Sequence, residues 1–367
     1  MAEHRLVSRR WVTGVVCAGL TVAALVSPLA ARAASTDDIL TYRGPDRQQK
    51  LEEGARKEGR LTVYSTLIVN QALQPLVEAF VKKYPYIKTD FSRADAAKMV
   101  AKVLAEQRAN ALVGDVMETG GATVPLLKAN ALVPFYSPVF EEIPKEYVGK
   151  GGYFAIDRLS YMGGAYNTKL VQPGTEPKTY EDLLDPKWKG KMAWNTQDES
   201  GAILMITNML DTWGKEKTES WLKKFAEQKP SSVAVSARQL VNIVMAGEYA
   251  IGLSIFMHHA VISAQDGAPV APIPFEPVAS TNGSMAIPKG TKHPHAALLF
   301  VDFLLGEEGQ TIMRDAQYFP VHPKVRPIEA LAKVTPHLIG LKENFFDPVE
   351  RYDGRHEAVA LIKKYFR

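Results

Sequence analysis

Between Arg60 and Thr119 the chain alternates three short apolar runs with two amphipathic ones, and this constrains its fold more than any other feature. "RLTVYS" at 60–65 is short and β-branched. In "VNQALQPLVEAFVKKY", Val69, Leu73, Leu76, Val77 and Phe80 recur at helical spacing. "YIKTDF" reads as a second strand. "ADAAKMVAKVLAEQRAN" places Met99, Val100, Val103 and Leu104 on one helical face. "LVGDVMET" reads as a third strand, and "ATVPLLKANALV" begins another helix. A β-α-β-α-β order predicts a parallel sheet with helices on its faces, an α/β fold.

A second block repeats the theme. "FAIDRLSYMGGAYNTKLV" reads as one long strand, with Gly163 and Gly164 permitting a bulge or bend. "TYEDLLDPKWKGKMAWNTQ" reads as short helix, turn and strand. "SGAILMITNMLDTWG" reads as a helix with Ser200 as N-cap. "SARQLVNIVMAGEYAIGLSIF" is helix, glycine stop at Gly247, then strand. A proline-rich crossing follows, then "TNGSMAIPKG", whose Asn282-Gly283 pair is a turn signal. "HPHAALLFVDFLLGEEGQTIM" is a strongly apolar helix. At 367 residues the chain exceeds one ordinary core, which points to two lobes.

Residues 1–33 read as a cleaved export signal. A basic start is followed by the apolar "WVTGVVCAGLTVAALV" and by small residues ending Ala31-Arg32-Ala33. "SRRW" at Ser8–Trp11 raises the twin-arginine route, although Val12 departs from its usual pattern, and both export routes stay open. This segment holds four arginines against Glu3. Without it, 40 basic and 39 acidic side chains remain of the 44 and 40 in the whole chain. That near-neutral balance gives no footprint for nucleic acid or a charged membrane surface. The single cysteine, Cys17, lies in the same segment, so the exported chain would have neither disulfides nor thiolate chemistry.

In open α/β sheets ligands sit beyond the carboxyl ends of strands. The loops expected there share one chemical character. "YSTL" offers Ser65 and Thr66, "SRAD" offers Arg93, and "ETGGAT" offers Thr119 and Gly120. In the second block "QDESGA" offers Ser200 and Gly201, "VSARQ" offers Ser236 and Arg238, and "FMHHA" offers His258 and His259. Small or hydroxylated residues at helix N-termini, with two arginines, suit an anion. Each also has a plain role: the serines as helix caps, the glycines as turn formers, the arginines as solvated charges. No phosphate-loop, dinucleotide, serine-elbow or zinc-protease motif occurs.

"LTVYS", "GDV", "YNTKLV", "TYEDLLDPKWKGKMAW" followed by "SGA", "VNIVMAGEYAIGL", "GSMAIPKGTKHPHAALLFVDFLLGEEGQ" and "FPVHP" occur in this order. With them the chain, over about residues 59–325, resembles the extracellular solute-binding proteins of bacterial ABC importers, in the branch that includes the ferric-iron binders. The resemblance implies a type II periplasmic-binding fold, the Venus flytrap: two Rossmann-like lobes joined by hinge strands. The expected division is lobe 1 at 59–158, lobe 2 at 159–278, a return to lobe 1 at 279–340 and a C-terminal helical segment at 341–367. It also implies a non-catalytic, monomeric periplasmic carrier that hands its ligand to inner-membrane permease subunits.

Iron-binding members carry a tandem tyrosine pair where this chain has His258-His259, and further His and Glu ligands on the first lobe. Here the first-lobe loop has no histidine, and Glu118 is the only acid near Gly120. Ferric iron prefers phenolate and carboxylate oxygen, so the substitution weighs against it. Both histidines can face one site only if the strand ends near Phe256 and a helix starts at 258. The pair then serves as part of an anion pocket, as a metal site, or as a plain helix start. The expected ligand is a small organic anion: a carboxylate, phosphonate or sugar phosphate. No cofactor is expected; the alternatives are ferric iron or another metal ion as transported ligand, held at His258 and His259, and an exported hydrolase.

Overall fold

The computed structural model describes residues 39–197 and 201–366. The export segment expected over 1–33 and the expected cap Ser200 lie outside the described residues. Eleven strands among the described residues form one curled, mixed sheet. They are β1 Arg60–Ser65, β2 Lys88–Arg93, β3 Val116–Thr119, β4 Leu132–Val133, β5 Phe154–Asn167 and β6 Met192–Trp194. The rest are β7 Ser231–Ser232, β8 Ile251–Phe256, β9 Val270–Ile273, β10 Val278–Pro288 and β11 Glu343–Phe345. The order is β2-β1-β3-β10-β5-β8-β6-β7, with β4 and β11 also on β10 and β9 on β5.

The first half is parallel where the sequence predicts it: β1 pairs β2 and β3 in parallel. The second half repeats this, with β6 parallel to β7 and β8. The two long antiparallel strands, β5 and β10, join the halves. Residues 154–161 of β5 pair with β10, whereas 162–166 pair with β8. Each half has its own apolar centre. Phe80, Leu299, Phe300 and Phe303 fill the first, and Trp194, Trp221, Phe225 and Leu253 fill the second. A further cluster runs along β5 through Leu159, Tyr161, Ile255 and Phe319.

Several local expectations need correction. Asn282-Gly283 makes no turn. Both residues lie inside β10, where the register to β5 shifts between Gly283 and Ser284. A side chain at Gly283 would collide with the Arg158 guanidinium, so glycine is required there for a close approach. The irregularity expected at Gly163-Gly164 exists, but the extra residue is on β8. Gly163 faces Ile255 and Gly164 faces Leu253, leaving Ser254 unpaired at φ 58°. The second strand begins two residues later than expected, at Lys88, after a turn, and the third begins four residues later, at Val116, after an irregular stretch. The apolar helix is two helices, Pro294–Leu305 and Glu307–Asp315, meeting at Gly306. Gly201, rather than Ser200, flanks the helix Ala202–Trp213 as its N-cap.

Candidate functional site

β8 ends at Phe256 and a helix runs Met257–Gln265, the arrangement that lets both histidines serve one site. His258 is 6% exposed, and its ring centroid lies 4.3 Å from that of His259. Phe256 stacks on His258 at 5.7 Å, and Tyr318 lies at 6.3 Å. Neither Nδ1 atom has a hydrogen-bond partner. Burial, then His259, Arg158 and Arg238, push the His258 pKa well below its ordinary value. Burial and Arg238 push His259 down to about 4. Both imidazoles are therefore neutral at pH 7, each with one N–H to donate and one lone pair to offer.

Beneath the pair lies an ionic group that the loop reading missed. Arg158, on β5, forms a buried ion pair with Glu118 of β3 and a second at 3.1 Å with Asp157. Its guanidinium lies 5.4 Å from the Tyr318 ring. Burial pushes the Asp157 carboxyl well above the usual range. Glu118 also accepts the Ser65 hydroxyl at 2.5 Å. Its carboxylate is thus spent on Arg158 and Ser65. Burial and the Asp157 carboxyl raise the Tyr318 phenol, opposed by Arg158, by a hydrogen bond from the Ile68 backbone and by Arg93.

These couplings bring most of the expected residues together. Thr66 receives the Gly120 N–H at 3.1 Å, which ties the first and third loops. Arg238 donates to the His259 carbonyl at 3.0 Å and to Ser263 at 2.9 Å, both neutral partners. Arg93 is exposed, and its nearest acid, Asp95, is 4.0 Å away. Asn195 joins two second-half loops: its carbonyl takes the Ala202 N–H beside Gly201, and its side chain donates to Val235 beside Ser236. Three expected hydroxyls are already engaged. Ser65 accepts the Leu67 N–H while donating to Glu118, Thr119 accepts the Ala122 N–H, and Ser236 closes a capping box with Gln239. They shape their loops.

The charge balance follows. Arg158 is paired within its network, whereas Arg93 from the first half meets only the exposed Asp95 at 4.0 Å, and Arg238 from the second pairs with no acid among the described residues. Among the described residues a metal finds less here: two neutral nitrogens and Glu118, whose carboxylate is already engaged. Among the described residues the group of three potential metal ligands is elsewhere, at Glu142, Glu307 and His322, where Lys324 already bridges the two acids. Glu118 was visible in the sequence as a lone acid. Arg158 was not, because a mid-strand arginine carries no motif and its partner is 40 residues away.

A family model for bacterial extracellular solute-binding proteins matches residues 119–338. An uncharacterized protein of Haemophilus influenzae is 28% identical over 327 residues, covering 85% of this chain and 91% of the relative. Among solved structures, iron-bound HitA from Pseudomonas aeruginosa superposes with a TM-score of 0.69 at 22% identity, covering 84% of this chain and 99% of the other. AfuA from Actinobacillus pleuropneumoniae, with fructose-6-phosphate bound, superposes with a TM-score of 0.65 at 24% identity, covering 84% and 98%. At these identities the superpositions establish the fold, a type II periplasmic-binding architecture.

Proposed function

This chain belongs to the bacterial extracellular solute-binding proteins, and from that membership we propose that it captures a small organic anion between its two lobes for an ABC importer. The observation that carries the reading is the pair of arginines, Arg93 and Arg238. They come from opposite halves: Arg93 acts on the Tyr318 phenol and has one exposed acid, Asp95, at 4.0 Å, and Arg238 acts on both histidines and pairs with no acid among the described residues. Guanidinium groups pair with carboxylate or phosphate in two-pronged fashion. His258 and His259, neutral and desolvated, add single N–H donors. Thr66 and the Gly120 loop complete the first-half wall. The carrier works in the periplasm, reached by removal of residues 1–33, as a monomer that presents its closed form to permease subunits.

Sugar phosphates, phosphonates and carboxylates all satisfy this chemistry. The fructose-6-phosphate in AfuA makes a sugar phosphate the first compound to try. Calorimetric titration in chelator-treated buffer, with glucose 6-phosphate, an alkylphosphonate and citrate, tests the reading. Binding of at least one, weakened about tenfold or more by Arg93→Ala and by Arg238→Ala, is expected, since a hydrogen bond to a charged group contributes about 1.5–3 kcal/mol. No binding by any of the three, with ferric ion binding tightly instead, would transfer the site to iron. That second reading draws on the unpartnered Nδ1 atoms of His258 and His259.

A further inference from the structure

The face of β5 opposite Arg158 encloses a cavity that the proposed ligand site does not use. Side chains alternate along a strand, so Leu159 and Tyr161 point away from the side that Arg158 serves. Leu159 bridges by its backbone to Phe319 at 3.0 Å, which lays the segment after Phe319 over that face. Between them lies a cavity of about 210 Å³. An apolar cavity of about 150 Å³ already holds a benzene ring. This one has room for a ring and a small polar substituent.

Its chemistry is graded from floor to mouth. Tyr161 is 2% exposed, and its hydroxyl has no hydrogen-bond partner among the described residues. Its hydroxyl therefore opens on the cavity, where it can donate to or accept from whatever enters. The Tyr161 ring packs edge-on against Phe319 at 4.7 Å. Phe319, Leu159 and Val325 make the middle apolar. At the exposed rim stands Arg326, which makes no ion pair with a described residue.

We propose that this cavity is a second small-molecule site, taking a small aromatic carboxylate with a ring hydroxyl. Its carboxylate pairs with Arg326, its ring lies against Phe319 and Val325, and its hydroxyl meets Tyr161. The site adjoins the arginine–histidine cluster through Phe319, whose ring lies 6.1 Å from that of His258, and stands on the strand that joins the lobes.

4-Hydroxybenzoate is the probe, added to the full-length exported chain and followed by ligand-observed NMR and calorimetry. Benzoate lacks the hydroxyl and phenol lacks the carboxylate, and both should bind more weakly. Tyr161→Phe, which removes one oxygen, should weaken 4-hydroxybenzoate about threefold to tenfold and leave benzoate unchanged. Arg326→Ala, at the exposed rim, should weaken both carboxylates about tenfold. Arg238→Ala should leave all three probes unaffected. Absence of binding at millimolar probe overturns the proposal. So does binding that is insensitive to Tyr161→Phe and Arg326→Ala, or that is lost with Arg238→Ala.

Discussion

At the residue scale, burial sets the chemistry of the site. The His259 pKa of about 4 lies below that of an unfolded histidine, near 6.5. Between those values the unfolded chain binds protons that the folded one refuses. Stability therefore falls as pH drops through that window and levels off below it, and His258 acts in the same direction. Urea midpoints from pH 7 to 4.5 should fall less steeply in His259→Gln than in the wild type; equal slopes would place the titration elsewhere. The Arg158–Glu118 pair is a second test. Removing one partner of a buried pair costs about 3–5 kcal/mol, so Glu118→Gln and Arg158→Met should each shift denaturant unfolding strongly. The double variant should lose less than the two losses added. The histidine pair was legible in sequence because adjacency draws attention to it. Arg158, Asp157 and Tyr318 were not, because only the fold places a strand arginine over a glutamate and a tyrosine from distant segments.

At the scale of elements, the end of β8 decides where the histidines point. Ser254 sits unpaired at φ 58°, inside a strand and four residues before His258. Left-handed backbone costs a non-glycine residue about 1–2 kcal/mol, so Ser254→Gly should leave stability equal or slightly higher. Ser254→Val should lower it and weaken ligand binding together, because the bulge re-aims the strand end. Opposite it, a Cβ on Gly163 would run into the Ile273 carbonyl and lie 2.8 Å from the Met257 sulfur. Gly163→Ala should therefore destabilise by about 1–3 kcal/mol, read from thermal unfolding. The two glycines were readable as an irregularity, but the unpaired residue was not, since nothing in "GLSIF" marks Ser254. Asn282-Gly283 misled for a related reason. The same pair that makes a hairpin turn also serves where a strand must let a guanidinium pass.

At the scale of the whole molecule, β5 and β10 carry the lobes, and we propose that they bend where β5 changes partners near Tyr161 and Met162. The C-terminal helix Pro348–Tyr365 bears on this motion. Ala358, Leu361 and Ile362 pack into the second apolar centre, while Asp353 pairs with Lys128 of the first half at 2.7 Å and Arg351 reaches Thr281 on β10. Small-angle scattering should show a smaller radius of gyration with saturating ligand, and Lys128→Ala should change that difference more than it changes stability, since exposed pairs contribute about 0–1 kcal/mol. The α/β alternation and the strand-end loops were legible from periodicity alone. The charge balance between lobes was not, because it depends on which acid each arginine reaches. That balance is the central claim, and its most direct test is mass spectrometry of the protein purified from its native host without refolding, with metal quantified on the same sample. One small organic anion, released on denaturation, and iron far below one equivalent are expected. One equivalent of iron with no organic anion would contradict it.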